Sequence, residues 1–263
     1  MEVHHHSHKP KNWKEYITEF LMLFAAVSMG FIAENIREKH IENERSEELM
    51  HAFIMDVKEN QKHLDSLIEN NKRMSDYYET LTFKHGFGNE PINLIDLSNT
   101  LDLWMYRFVN KKTIFEQMKS TGALRYIQDK KILEAILKYE ENADLVEIRS
   151  MENETNHYIT EFRPALAKIL PLSFFKYKND DYLEKVTKHD TLFHPGRYKN
   201  YKIYASEIKK EIETTKLTPE QMKTLGKIWY AREEKIWVGL RFQMELRDQG
   251  AALLKLIEPK YQH

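Results

Sequence analysis

The 263-residue chain has no cysteine. This excludes disulfides, thiolate metal ligands, a cysteine nucleophile, covalent haem attachment and a lipidated cysteine. It does not choose a compartment. Turn formers are scarce too, with 8 Gly and 7 Pro. A sheet protein of this length needs many tight turns and a rich supply of β-branched residues, whereas long helices need neither; Glu, Lys, Leu, Ile and Met are prominent instead. The fold class that follows is all-α. Net charge is nearly absent, with 40 Lys and Arg against 41 Asp and Glu. No global field therefore draws the chain to nucleic acid. The sequence has no nucleophile elbow and no zincin motif, and the lone GFG at 86–88 lacks both the third glycine and the strand of a dinucleotide loop. No catalytic residue is assigned and no cofactor is called for.

What is present is a single oily run. Residues 20–33, FLMLFAAVSMGFIA, pass fourteen positions without a charge in a chain that is 31% charged. A bilayer core of about 30 Å needs roughly 20 helical residues. Counting back to Tyr16 gives eighteen, with Thr18 and Glu19 at the end where a carboxylate reaches the headgroups. Trp13 and Tyr16 are placed for an interfacial belt, and Lys11 and Lys14 can snorkel. We read the run as a membrane anchor whose lipid-facing residues are Phe20, Leu21, Leu23, Phe24, Val27, Phe31 and Ile32. A cleaved signal peptide and a buried or interfacial helix are the rivals. Ala26, Gly30 and Ala33 recur at spacings of four and three, a small-residue stripe that would admit a second copy or another membrane protein. Lys and Arg number three on each side within fifteen residues (Lys9, Lys11, Lys14; Arg37, Lys39, Arg45). That balance barely orients the span; the short leader with its α-amino group favours a cytoplasmic N-terminus and a periplasmic bulk.

Before the run lies a leader, MEVHHHSHKPKNWK, whose His4, His5, His6 and His8 read as a disordered basic segment, a tag-like stretch or a weak Zn or Ni binder. After it, 34–48 is polar almost all round and reads as a stalk held by i,i+4 pairs. A heptad then appears: Met50, Phe53, Val57, Asn60, Leu64, Leu67, Asn71, Met74, Tyr78 and Leu81. It forms a seam for a helix of this chain or of another copy, with Asn60 and Asn71 able to fix register. Nothing interrupts the helix from Trp13 to about Phe83. HGFGNEP at 85–91 predicts a turn. A helix is expected from about Ser98, a capping box at Thr113–Glu116 opens another, and Gly122 closes it. Asp129 opens a long amphipathic helix carrying Ile132, Ile136, Tyr139, Ala143 and Val146 on one face. The stretch 174–197 reads as loop with a short helix, and 201–216 as helix. Thr218 with Pro219 starts the last helix, striped by Met222, Leu225, Trp229, Ile236 and Leu240. The divisions are thus leader 1–14, anchor 15–34, stalk and first bundle helix 35–85, and helical bundle 86–263.

Residues 113–144, TIFEQMKSTGALRYIQDKKILEAILKYEENAD, carry an aromatic and Thr leading into a Ser-Thr-Gly turn, then an apolar step and a helix of paired Leu and Ile. Together with the leader MEVHHHSH, the anchor EFLMLFAAVSMGFIAEN and the charged REKHIE, this resembles an uncharacterised family of bacterial membrane-anchored helical proteins. The resemblance covers roughly 1–150. It implies an inner-membrane anchor and a helical domain, and it supplies no activity and no functional residue.

Glu48 with His51 and Glu154 with His157 have the Glu-x-x-His spacing of di-metal bundles. Chance alone predicts about two such pairs in this composition, and the matching inward carboxylates are missing. Three readings follow from the sequence: a membrane-anchored structural or interaction protein, a membrane-tethered sensor or small-ligand module, and, third, a metal-dependent enzyme.

Overall fold

A computed structural model describes residues 12–88, 90–101, 107–177 and 199–261. The protein is all-α, with no strand among the described residues. Helix α1, Trp13–Leu81, runs 69 residues without a break. It contains no proline and one glycine, Gly30, so neither a missing N–H nor a flexible backbone interrupts its ladder. At 1.5 Å per residue it is on the order of 100 Å long. It continues as wide π-helical turns over Thr82–Phe87. Four short helices are distributed along the middle of the chain: α2 (Leu94–Leu101), α3 (Thr113–Thr121), α5 (Arg163–Ala167) and α6 (Leu172–Lys176). Helix α4, Lys130–Ser150, extends through two further wide turns, Met151–Asn156 and Tyr158–Phe162. Helices α7 (Lys199–Thr214) and α8 (Pro219–Tyr261) close the described chain.

The core is built on α8, which packs against both the second half of α1 and α4 with its extension. Cross-helix pairs set the directions. Lys58 meets Glu258 at 2.8 Å and Asn71 meets Gln243 at 3.1 Å, so α8 runs antiparallel to α1. Asn142 donates to Gln249 at 2.7 Å and the Arg149 guanidinium lies 3.9 Å from the Phe242 ring centroid, so α8 is antiparallel to α4 as well. The seam residues Met50, Phe53, Val57, Leu64 and Leu67 are buried in this core, as are Ile132, Ile136, Tyr139, Ala143, Val146, Met222, Leu225, Trp229, Ile236 and Leu240. Two caps form where the sequence places them. The Asp129 side chain accepts from the backbone N–H of Lys131 and Ile132, and Thr218 and Gln221 bond reciprocally at the start of α8.

Three local expectations are corrected. The turn at 85–91 begins later, because the helical turns persist through Phe87. Gly86 lies against Gly226 so closely that a Cβ on Gly86 would come 2.8 Å from the Gly226 Cα. This backbone-to-backbone seat favours keeping the segment coiled. The Thr113–Glu116 capping box does not form; Lys112 is the N-cap, and the Ile114 N–H donates to Asp56 Oδ2 at 3.4 Å instead. The helix expected from Ser98 starts at Leu94. Gly122 does end α3, with φ 73°. The leader histidines and most of 174–197 lie outside the described residues.

Candidate functional site

Two features of the molecule bear on function: the bare apolar end of α1 and a set of polar layers inside the bundle. In the first, every residue from 12 to 41 is exposed except the half-buried Ser28. Phe20, Leu21, Leu23, Phe24, Val27, Phe31 and Ile32 all project away from the body, with Phe24 61% and Phe31 72% exposed. This helix alone among the described residues is long and apolar enough to cross a membrane, and none of its most apolar window is covered by the rest of the chain. The reading in which these side chains are tucked inside the body is therefore excluded. Ala26, Gly30 and Ala33 are exposed, and among the described residues a Cβ on Gly30 would meet nothing within 4 Å.

The approach to the bundle is short. Arg37 bonds Glu34 and His40 reaches Glu44 at 3.3 Å along the helix surface. From Glu42 onward α1 is docked: Arg125 grips Glu42 at 3.0 Å, and the buried Ser46 donates to the Ala123 carbonyl at 3.2 Å. Eight residues, all polar but Ile36 and Ile41 and spanning roughly 12 Å of helix, separate the end of the apolar run from the first of these contacts.

Inside the bundle, polar side chains gather in three layers. In the first, Asn60 on α1 behaves like a strand edge toward the segment 107–112. Its Oδ1 accepts from the Lys111 N–H at 3.0 Å, and its Nδ2 donates to the Lys111 carbonyl at 3.3 Å and to Asn110 Oδ1 at 2.9 Å. Asn110 Nδ2 in turn donates to Glu140 Oε2 at 3.0 Å and to Asp144 Oδ1 at 3.2 Å on α4. Lys111 pairs with Asp56 and Glu59, and Lys112 with Asp144. Asp56, Asn60, Asn110 and Glu140 are buried. Burial is the largest influence on Glu140 and outweighs the Asn110 hydrogen bond and the Lys112 charge, which favour ionisation; with Asp144 and Asp56 adding to it, the carboxyl is held up at about 7.

The second layer is the buried pair Asn71 and Gln243. The third sits where α4 widens. Arg232, with no exposed surface, donates to the Asn153 carbonyl at 3.0 Å and lies 3.5 Å from His157 Nδ1, with the Tyr158 and Phe162 rings 5.9 Å away. Burial, and then the Arg232 charge, press the His157 imidazole below its ordinary value. Burial pushes the Tyr78 phenol up.

No protein-family model, curated protein or solved structure matches the chain. The functional reading therefore stands on the residues themselves. Among the described residues no group of three or more His, Asp and Glu gathers in a way that could hold a metal ion. A shallow groove of ≈ 250 Å³ opens beside the third layer, lined by His157, Glu161, Phe162, Ala165, Thr224, Lys227, Ile228 and Ala231. Sequence reasoning identified Asn60 and Asn71 as seam residues but missed Asn110, Glu140, Arg232 and Gln243. The spacing of the last three on α4 and α8 matches buried positions, a weak signal that a polar residue on an apolar stripe has a partner.

Proposed function

We propose that the chain is a membrane-anchored scaffold or accessory subunit, whose bundle engages another protein close to the bilayer surface. The observation carrying this is the uninterrupted α1: one helix supplies both an uncovered apolar segment able to cross a bilayer and a large share of the bundle core. An apolar surface of this extent is stable in water only when something covers it, and lipid fits its length, its aromatic start at Trp13 and Tyr16, and its lack of charge. The family resemblance agrees with this reading and adds a bacterial inner membrane, and the proposal sets the bundle on its periplasmic side. The Ala26, Gly30 and Ala33 stripe supplies a face for a second copy or another membrane helix. Carbonate washing of native membranes followed by cross-linking and mass spectrometry tests it. The expected result is retention in the pellet with a stoichiometric partner or a dimer; release of intact chain, or a monomer without partner at any salt, overturns it.

A second reading, a membrane-tethered small-ligand module, is favoured by the groove at His157 and Lys227. It lies beside consecutive wide helical turns, which occur often at functional sites. A thermal-shift screen of small organic ligands on detergent-solubilised protein checks it, with a displaced midpoint that is lost in Lys227→Ala as the expected result.

A further inference from the structure

Within the segment 107–112 the Asn110 side chain bonds to both α1 and α4, and the carboxylates around it outnumber the cations. Asp56 and Glu59 face it from α1, and Glu140, Asp144 and Glu147 from α4; Lys111 and Lys112 are the cations of the segment itself. The start of α3 adds the Ile114 N–H on Asp56 and the nearby Glu116. Helix α8 presents Gly250 against the Tyr139 ring, and its Glu258 is paired with Lys58 on α1. His63 on α1 lies against Phe108, ring centroids 5.9 Å apart. Lys111 serves Asp56 and Glu59, and Lys112 serves Asp144; among the described residues neither ammonium pairs with Glu140.

We propose that Glu140 is a proton-binding site that operates a latch: protonated, it lets Asn110 clamp α1 to α4, and ionised, it loosens that clamp. The geometry gives the reason. One amide nitrogen, Asn110 Nδ2, serves both Glu140 and Asp144, at 3.0 and 3.2 Å. Its two hydrogens go one to each carboxylate, but the two acids are not equivalent: Asp144 is nearly half exposed and paired with Lys112, whereas Glu140 is buried without a cation of its own among the described residues. Its charge is therefore the costly one, and the Asn110 bond offsets only part of that cost while Asp144 and Asp56 add repulsion. A proton on Glu140 removes that repulsion and adds a donor where donors are few. The carboxyl sits near neutrality, so small changes of pH redistribute the two states. The latch acts on α1 itself, about fourteen residues beyond the first buried position, Ser46. It holds independently of whether the bundle serves as a scaffold.

Hydrogen exchange of the full chain in detergent micelles, read by mass spectrometry at pH 6 and 8.5 and corrected for chemical exchange rates, tests it. Peptides covering 107–116 are expected to lose protection by about tenfold on going to pH 8.5, and Glu140→Gln, which keeps the shape and stays neutral, is expected to abolish the loss. His63→Gln is expected to retain it, because the imidazole touches Phe108 rather than Asn110. Unchanged protection in the wild type, an equal loss in Glu140→Gln, or a loss that disappears in His63→Gln overturns the proposal. Carboxyl-¹³C NMR of the glutamate-labelled wild type gives a readout without any variant. One glutamate titrating near neutrality is expected, and a spectrum in which every glutamate has finished titrating by pH 5.5 also overturns it.

Discussion

Residues 16–33 and residues 46–81 belong to one helix, yet they solve opposite problems. In the first stretch apolar residues occupy the whole circumference and none is covered; in the second all but Met55 keep to a seam, which is covered chiefly by α8, with α3 and the turn at 123–126. A helix that is oily all round needs an apolar solvent, whereas a striped helix needs a partner helix. The difference between the two halves is thus a difference of what surrounds them, set by side chains alone on a backbone that does not change.

The largest expected effect breaks the first half without the second. Leu23→Arg with Phe24→Lys adds two charges at the middle of the run, each opposed by about 3 kcal/mol in a bilayer. The chain is expected to leave the carbonate-washed membrane pellet while the bundle's thermal melt is unchanged.

Next come two glycines, one on α8, which covers the packed half, and one in the bare half. Gly226→Ala puts a methyl 2.7 Å from the Gly86 Cα, a backbone atom that cannot step aside. About 3 kcal/mol of destabilisation is expected in urea unfolding. Gly30→Ala, with nothing within 4 Å, is expected to leave that stability unchanged.

A comparable effect confined to one pH range is expected at Glu140. Its carboxyl is raised from 4.5 to about 7, so the folded state binds the proton more tightly than the unfolded state. Stability from this group is full below about pH 4.5 and is lost as pH rises through 7, a difference of roughly 3 kcal/mol. Glu140→Gln is expected to flatten this slope in unfolding measured from pH 5 to 8.5.

The smallest is Thr218→Ala, which removes the oxygen accepting the Gln221 N–H. About 1 kcal/mol is expected, together with faster exchange in the first turn of α8.

What could be read beforehand was local. The oily run, the seam from Met50 to Leu81, and the caps at Asp129 and Thr218 depend on near neighbours in the chain, and their spacing carries them. What escaped depends on residues far apart. Gly86 looked like a turn residue because its contact, Gly226, is remote in sequence. Thr113 to Glu116 had the letters of a capping box, but the Glu116 N–H that would complete it bonds the Lys112 carbonyl, and the helix start is held from afar by Asp56, which accepts from the Ile114 N–H. Asn60 and Asn71 were visible as polar interruptions of the seam, while their partners Asn110 and Gln243 sit 50 and 172 positions away. Glu140 resembled one more acid on a charged helix until Asn110 was found against it.

The unbroken passage of α1 from its bare half into its packed half also fixes a compass bearing. Each residue between Ala33 and Glu42 turns the body by about 100° around the helix axis and lifts it about 1.5 Å. Inserting one residue there would point a different flank at a neighbour in the bilayer, whereas inserting seven would nearly restore the aspect at a height of about 10 Å more.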